Sequence, residues 1–301
     1  MTTLADLPGR AAATLAELRP ATSRRVVDRI ARVVMAGCFV AAVVPLVLVL
    51  FFVAAKGARY LSPRFLTHSM AFVLPNAAGG GAYHAIIGTL EQVLLASLIA
   101  VPLALLTAIY IVEYGRGRLR NTIRFFVDVM TGIPSIVAGL FIYAFWVLGL
   151  HQGFSGFAGA LALAVLMLPI VVRSSEEMLL LVPAALREAS YALGIPRWKT
   201  IARVVLPTAS AGITTGIMLA LARVIGETAP LIFTVFDNPY INRNPFKNSQ
   251  GALSLFVYNQ SKSAYAPAVQ RAWTGAFTLI VIVIILYVVA RLLTRRNTLS
   301  G

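Results

Sequence analysis

Six long apolar stretches recur along this chain, and they constrain its fold more than any other feature. About 20 consecutive apolar residues are enough to cross the roughly 30 Å hydrocarbon layer of a membrane as a helix. Lipid offers backbone groups no hydrogen-bond partner, and the alternating polar pattern of membrane-barrel strands is missing from this sequence. We therefore predict an all-α integral membrane protein with about six transmembrane helices. The predicted spans are 33–55, 86–112, 130–150, 156–174, 209–233 and 273–294.

The composition excludes an ordinary soluble domain of this size. Hydrophobic residues make up 59% of the 301 positions, and charged residues only 12%. A soluble protein would need more polar side chains to cover its core. The same values agree with a chain that is solvated largely by lipid.

The net charge of +15 could indicate nucleic-acid binding, but the distribution of the charge favours a membrane topology. Of the 26 Lys and Arg residues, 18 lie in the N-terminal tail, in the connections after the second and fourth stretches, and at the C-terminus. Seven lie in the other connections, and Arg223 lies inside a predicted span. The positive-inside rule then predicts that both termini are cytoplasmic. We expect no nucleic-acid partner.

The chain is predicted to have one basic cytoplasmic tail, residues 1–30, and one integral transmembrane domain, residues 31–301. The first apolar stretch lacks the short core and small-residue cleavage site of a signal peptide, so we expect a retained helix. The largest external segment is predicted at 235–271, with a short helical element near Leu253 to Tyr258. Several turn-forming residues and aromatics in this segment suggest an outer gate or a docking site.

Residues that would support enzyme chemistry are scarce. The chain has three histidines and a single cysteine, Cys38, and contains neither an HExxH nor a GxSxG pattern. We predict no catalytic residues, no metal site and no cofactor bound by this chain.

A basic, kinked insert interrupts the apolar sequence before the fifth span. In "PAALREASYAL", Pro183 suits a helix start and Gly194 can end the helix in a left-handed conformation. The following "RWKTIARVVLP" can begin a second helix that enters the membrane. A solvated, positively charged loop is the simplest alternative for such an insert.

The spacing within this insert resembles the EAA motif of ABC-importer permeases. The sequence reads Glu188-Ala189-Ser190, three residues, Gly194, nine residues, Val204, one residue, and then Leu206-Pro207. It departs from the family pattern at Ser190 and Val204, and both changes are small. The resemblance implies a coupling region over 176–207 whose cytoplasmic coupling helix sits in a groove of an ATPase subunit. It assigns ATPase coupling to Glu188, Ala189, Ser190, Gly194, Leu206 and Pro207.

A nucleotide site in the same insert is excluded by its sequence. The glycine that a P-loop places before its lysine is Trp198 here, the spacing is one residue short, and Pro196 removes a backbone donor. We therefore expect ATP and Mg²⁺ to be used by a partner ATPase.

The fifth span carries the strongest chemical signal. Helical spacing places Gly212, Gly216, Ala220, Arg223 and Glu227 near one face. Small residues allow close approach at a helix–helix interface or a pore wall, and ionised groups at membrane depth usually face a partner or an aqueous path. A static ion pair between Arg223 and Glu227 and a role in transport are both open at this point.

Longer stretches resemble one family more closely, the A-type permease subunit of phosphate-specific ABC importers. They are "GIPSIVAGLF" at 132–141, "LPIVVRSSEEMLLLVP" at 168–183 and "ALARVIGETAPLIFT" at 220–234. The resemblance implies a type I-like importer permease fold in a bacterial plasma (inner) membrane. It makes Arg223 and Glu227 candidates for the phosphate path, with Arg173 either a further path residue or a membrane anchor. Asp128 is expected to pair with Arg124, and Glu91 to face the vestibule.

The resemblance also implies the partners. They are a second homologous permease, a cytoplasmic ABC ATPase dimer and an extracytoplasmic phosphate-binding protein, in addition to membrane lipid. A permease for phosphonate, sulfate or molybdate remains an alternative for the cargo. An ion-coupled secondary transporter is a further alternative, against which the EAA-like insert argues.

Overall fold

The computed structural model describes residues 22–298, and this part of the chain contains helices and loops without a β-strand. Its helices are α1 (Thr22–Arg59), α2 (Pro63–Thr67), α3 (Tyr83–Tyr114), α4 (Gly117–Thr131), α5 (Ser135–Gly149), α6 (Gly156–Leu180), α7 (Ala184–Ala192), α8 (Arg197–Ile225), α9 (Ala229–Thr234), α10 (Leu253–Ser261) and α11 (Ala266–Thr298). The predicted all-α class is confirmed.

Five of the helices, α1, α3, α6, α8 and α11, are each long and apolar enough to cross a membrane. The pair α4 and α5 would supply a sixth span. The predicted number of about six is therefore confirmed, although most helices extend beyond the predicted apolar limits. Hydropathy locates the part of a helix that lipid covers, and the helix continues into its polar ends.

The N-terminal part of the prediction is only partly described. Residues 1–21 of the predicted basic tail lie outside the described residues, and α1 already begins at Thr22. Contacts divide the chain into two compact units between Phe52 and Val53. The boundary at residue 31 between the tail and the membrane domain stays a prediction.

The third predicted span, 130–150, is not one continuous helix. Helix α4 ends at Thr131, α5 begins at Ser135, and the two axes bend by 104°. Pro134 explains the break, because its ring disfavours helical geometry in the residue before it. Only helix α5, the second of the two, falls within the predicted span 130–150.

The fifth predicted span, 209–233, is wrong at both ends. Helix α8 begins twelve residues earlier, at Arg197, and ends at Ile225. After a break at 226–228, the short helix α9 starts at Ala229. Pro230 cannot donate a backbone hydrogen bond, and inside a continuous helix its ring would clash with the carbonyl of Gly226.

The core of the second unit forms where α3 and α6 pack closely. Helix α3 presents Ala96, Ala100 and Ala104 at four-residue intervals, and all three are fully buried. Helix α6 contributes Ala160 and Ala164 to the same apolar cluster. Small side chains at this spacing allow two membrane helices to approach closely.

The predicted external segment 235–271 is ordered around α10, which confirms the expected short helix. Its preceding loop lies directly on α3, since a Cβ atom added to Gly88 would come within 2.0 Å of the Gly251 carbonyl oxygen. The Asn242 amide donates to the carbonyl oxygens of Lys247 and Ser249, at 2.8 and 3.1 Å. These contacts fix the loop without regular secondary structure.

Candidate functional site

Helix α7 and the start of α8 form a helix–turn–helix, as the sequence predicted. Helix α7 begins directly after Pro183, and Gly194 takes a left-handed conformation with φ +74°. The Gly194 N–H donates to the carbonyl of Tyr191 at 2.9 Å. Residues with a side chain rarely adopt this φ, which explains glycine at this position of the EAA-like motif.

The inner face of α7 is held to α8 by a buried hydroxyl pair. Ser190 Oγ lies 2.8 Å from Thr200 Oγ1, and both residues are buried. Ser190 therefore acts within the coupling region rather than on its exposed face. Leu206 is also half-buried and packs with Val205 and Leu179.

Arg187 anchors α7 to the rest of the molecule. Its guanidinium donates to Glu113 Oε1 through Nε at 3.0 Å and through Nη2 at 2.8 Å. It also donates to the carbonyl oxygens of Val182 at 2.6 Å and Leu179 at 2.9 Å. Glu113 is buried, so this charge pair ties α7 to the ends of α3 and α6.

In the sequence, Arg187 is one of several positive charges of the insert, and no pattern pairs it with Glu113. The two residues lie 74 positions apart, which no local pattern can connect. An acidic residue at the end of a span was the only available signal.

The outer face of α7 is open. Glu188, Ala189 and Gly194 are exposed, and among residues 22–298 no atom outside the immediate chain neighbours of Gly194 lies within 4 Å of a Cβ placed on it. Large apolar side chains surround this face, with Leu193 79% exposed and Trp198 65% exposed. Pro207 is exposed farther along α8.

The small residues of α8 form a helix–helix contact. A Cβ atom added to Gly216 would come within 1.7 Å of Ser174 Oγ, and one added to Gly212 within 2.1 Å of Met178 Sδ. Ala220 is fully buried. Of the two alternatives that the spacing left open for these residues, the structure supports the interface with α6.

Arg223 does not share this packed surface. Its side chain is 57% exposed and lies on a stripe of exposed residues along α8. The stripe consists of Ala211, Thr215, Leu219, Arg223 and Gly226. The packed and exposed rows are adjacent on the helix, and spacing alone did not separate them.

Glu227 lies beyond the end of α8, in the break before α9. Its Oε1 is 3.6 Å from Arg223 Nε, so the predicted pair exists, but as a long contact. Glu227 is only 17% exposed, and its backbone carbonyl accepts a hydrogen bond from Ser254 Oγ at 2.8 Å. The backbone at Glu227 is thus held by α10, while the Arg223 side chain is largely exposed.

Arg173 is placed in a charged cluster between α4 and α6. It pairs with Asp128 and with Glu176, whose Oε2 lies 3.2 Å from Arg173 Nη1. Arg124 also pairs with Glu176. The expected pair between Asp128 and Arg124 is therefore wrong, because the carboxylates of both helices cross over to the arginine of the other helix.

A buried pair of amides joins α3 to the loop before α10, a contact that no sequence pattern indicated. Gln92 Nε2 donates to Gln250 Oε1 at 3.1 Å and to the carbonyl of Gly251 at 3.2 Å. Gln250 Nε2 donates to Glu91 Oε2 at 2.5 Å and to the carbonyl of Asn242 at 3.1 Å. Glu91 therefore helps to seat the loop.

Asp237 lies in the loop after α9, where burial raises the pKa of its carboxyl group. The Asn259 amide donates to its Oδ2 at 2.7 Å and opposes this shift. A raised pKa means that the folded state holds the proton more tightly than the unfolded state, so this group favours folding at low pH. That contribution is lost as pH rises through the folded-state pKa.

Asp237→Asn is expected to raise the thermal midpoint of the detergent-solubilised protein at neutral pH, by about 2 °C. Asparagine keeps an oxygen that accepts from Asn259 and removes the buried charge. The gain should shrink when the pH is lowered toward 4. A midpoint difference that stays constant between pH 4 and 7.5 would contradict this assignment.

The chain is similar to membrane components of known transport systems. Residues 100–298 match the family described as binding-protein-dependent transport system inner membrane component. The phosphate transport system permease protein PstA 1 of Mycobacterium tuberculosis is 46% identical, and the alignment covers 93% of each chain. The PstA protein of Yersinia pestis is 39% identical, with 90% of each chain covered.

An inward-facing structure of the MetNI methionine ABC transporter has a similar fold. The TM-score is 0.57 at 20% identity, and the match covers 72% of this chain and 94% of that one. This likeness, together with the helix–turn–helix between α6 and α8, shows the fold of an ABC-importer permease, as predicted. The chain belongs to the family of binding-protein-dependent transport system inner membrane components. It is a multi-pass membrane protein and a permease component of a transport system.

Proposed function

We propose that this chain is a transmembrane permease subunit of an ABC importer of inorganic phosphate, with both termini in the cytoplasm. The names of its relatives and their identity over most of the chain support phosphate as the cargo. The excess of basic residues at one set of connections supports the orientation. The chain itself contributes no enzymatic step.

The observation that carries the proposal is the exposed guanidinium of Arg223 on a membrane-spanning helix. A charged side chain facing lipid at membrane depth is costly, so such residues face a partner or a water-filled path. Its contact with Glu227 is too long to satisfy its donors. Phosphate oxygens match these donors, because a guanidinium presents a permanently charged, planar set of N–H groups.

Arg173 supplies a second positive charge along the same route. Ser174, its neighbour on α6, lies against Gly216 of α8. Arg223 is seven residues beyond Gly216, or about 10 Å along the helix axis. Two arginines at different depths can bind a transported anion one after the other, provided that neither binds it too tightly.

The remaining parts of the machine are assigned to partners. A second homologous permease would complete the path, and an extracytoplasmic phosphate-binding protein would deliver the anion to the side of α10. A cytoplasmic ATPase dimer would bind ATP and Mg²⁺ and receive the exposed face of α7. That face combines Glu188 with Leu193 and Trp198, a polar and apolar mixture suited to a protein contact.

The test is uptake of labelled phosphate into liposomes that contain the assembled complex. The account predicts uptake that requires lumenal ATP and external binding protein, and that arsenate inhibits more strongly than sulfate or molybdate. Uptake of sulfate, molybdate or a phosphonate in preference to phosphate would assign another cargo. Uptake driven by an ion gradient without ATP would overturn the transporter class.

Glu188→Lys is expected to weaken ATPase docking at least fivefold without affecting membrane insertion. The substitution reverses an exposed charge at the centre of the proposed docking face, and like charges across an interface oppose binding. Co-purification of the ATPase and uptake per hydrolysed ATP measure the effect. Asp28→Lys makes the same charge change at an exposed site on α1, outside the coupling region, and serves as the control. Equal ATPase recovery in the two variants would refute the docking assignment.

A further inference from the structure

Four charged side chains join α4 to α6 in one cluster, in the half of α6 that leads to α7. Because α7 is proposed to face the cytoplasmic ATPase, the cluster lies at the inner end of the proposed path. Arg124 and Asp128 come from α4, and Arg173 and Glu176 from α6. Glu176 receives Arg124 at Oε1 and Arg173 at Oε2, and Arg173 reaches Asp128 with its other terminal nitrogen, Nη2. The cluster is electrically neutral, and Arg173 has two carboxylate partners.

The two carboxylates that hold Arg173 differ in their surroundings. The Glu176 side chain is 5% exposed, and both of its oxygens are engaged by arginines. The Asp128 side chain is 53% exposed and meets Arg173 through Oδ1. Glu176 is therefore a fixed partner of the guanidinium, and Asp128 is the partner on its accessible side.

The energetics of the two contacts follow from this difference. Removing one partner of a buried ion pair costs about 3–5 kcal/mol, whereas an exposed pair contributes about 0–1 kcal/mol. A phosphate that arrives from the accessible side would thus replace Asp128 far more readily than Glu176. The phosphate oxygens can then accept the hydrogen bond from Arg173 Nη2 that Asp128 accepted before.

We propose that Asp128 is a displaceable counter-ion of Arg173, a positioning residue that competes with the transported anion for the guanidinium. When the path is empty, Asp128 neutralises Arg173. When the anion arrives, Asp128 moves aside while Glu176 keeps the guanidinium in place, and its return releases the anion. This inference rests on the proposed function, since it needs an anion that reaches Arg173.

Removing the charge of Asp128 should make the cluster retain anions. Asp128→Asn leaves two arginines with one carboxylate, so the cluster gains a net positive charge. The contribution of an exposed pair corresponds to an affinity change of about two- to fivefold. Because the cluster lies at the proposed inner end of the path, lumenal phosphate should inhibit uptake at a concentration lower by this factor.

The experiment uses the assembled complex in liposomes loaded with ATP and graded phosphate, with labelled phosphate and binding protein outside. Asp128→Asn should lower both the maximal uptake rate and the half-inhibitory lumenal phosphate concentration. Asp128→Glu should restore both, and Arg173→Gln should raise the half-inhibitory concentration. Asp28→Asn removes an exposed acidic charge on α1, outside both the cluster and the coupling region, and should behave as the unmodified protein.

Two results would overturn the inference. The first is a slower Asp128→Asn complex with an unchanged half-inhibitory concentration, which would mean that Asp128 is a brace between helices. The second is a variant unchanged in both quantities. Failure of the proposed function has a different signature, since the unmodified complex itself would then show no ATP-dependent phosphate uptake. Thermal midpoints of the variants in detergent establish that each is folded.

Discussion

Arg223→Gln is expected to reduce phosphate uptake by roughly 10- to 100-fold while the complex still assembles and hydrolyses ATP. Glutamine keeps most of the length and some hydrogen bonding but removes the charge. Hydrogen bonds to charged groups are worth about 1.5–3 kcal/mol, which corresponds to this range. Because the Arg223 side chain is largely exposed in this chain, its removal should cost little folding stability. Arg223→Lys keeps the charge but loses the planar donor set. Its phosphate uptake should lie between that of the unmodified protein and that of Arg223→Gln.

The double variant Arg223→Gln with Glu227→Gln separates transport from bracing. If the two residues served only to neutralise each other, removing both charges would restore assembly and uptake, because no buried charge is left unpaired. We expect the double variant to stay inactive. Near-normal phosphate uptake by the double variant would contradict a role in translocation.

Arg187→Gln is expected to destabilise the coupling region by about 3 kcal/mol, the low end of the cost of leaving a buried partner unpaired. The substitution leaves the buried carboxylate of Glu113 without its guanidinium, together with two backbone carbonyls at the end of α6. Helix α7 should lose its fixed position, and ATPase co-purification should fall with the thermal midpoint in detergent.

Glu113→Gln in the Arg187→Gln background should recover most of the lost stability, since two amides replace the charge pair. Arg203→Gln is the matched control, because Arg203 is exposed near the start of α8. Equal midpoints for Arg187→Gln and Arg203→Gln would show that the contact with Glu113 does not hold α7.

Features set by local sequence were predictable for this chain. The apolar stretches predicted the spans, and Pro183 with Gly194 predicted the helix–turn–helix of the coupling region. The break at 226–228 could also have been predicted, since Gly226 and Pro230 are signals for a helix end. Apolar composition on both sides of the break hid it, because hydropathy measures burial in lipid rather than helix continuity.

Pairings between distant residues could not be predicted from the sequence. Arg187 with Glu113 and Gln92 with Gln250 depend on which helices become neighbours, which local periodicity does not determine. The predicted pair of Asp128 with Arg124 was wrong for a related reason. A carboxylate four positions from Arg124 favours a pair within one helix. Packing of α4 on α6 instead brings Arg124 to the buried Glu176 and Asp128 to Arg173.

The central claim, that α8 borders an aqueous route for anions at Arg223, can be tested most directly by thiol accessibility. Leu219 lies one turn before Arg223 on the exposed stripe and is 62% exposed. In a Cys38→Ser background, Leu219→Cys in the assembled complex should react with a membrane-impermeant thiol reagent, and phosphate should slow the reaction. Leu98→Cys on α3, equally exposed in the isolated chain, is the control and should react only with a lipid-soluble reagent. The same behaviour of both cysteines, with no effect of phosphate, would contradict the account.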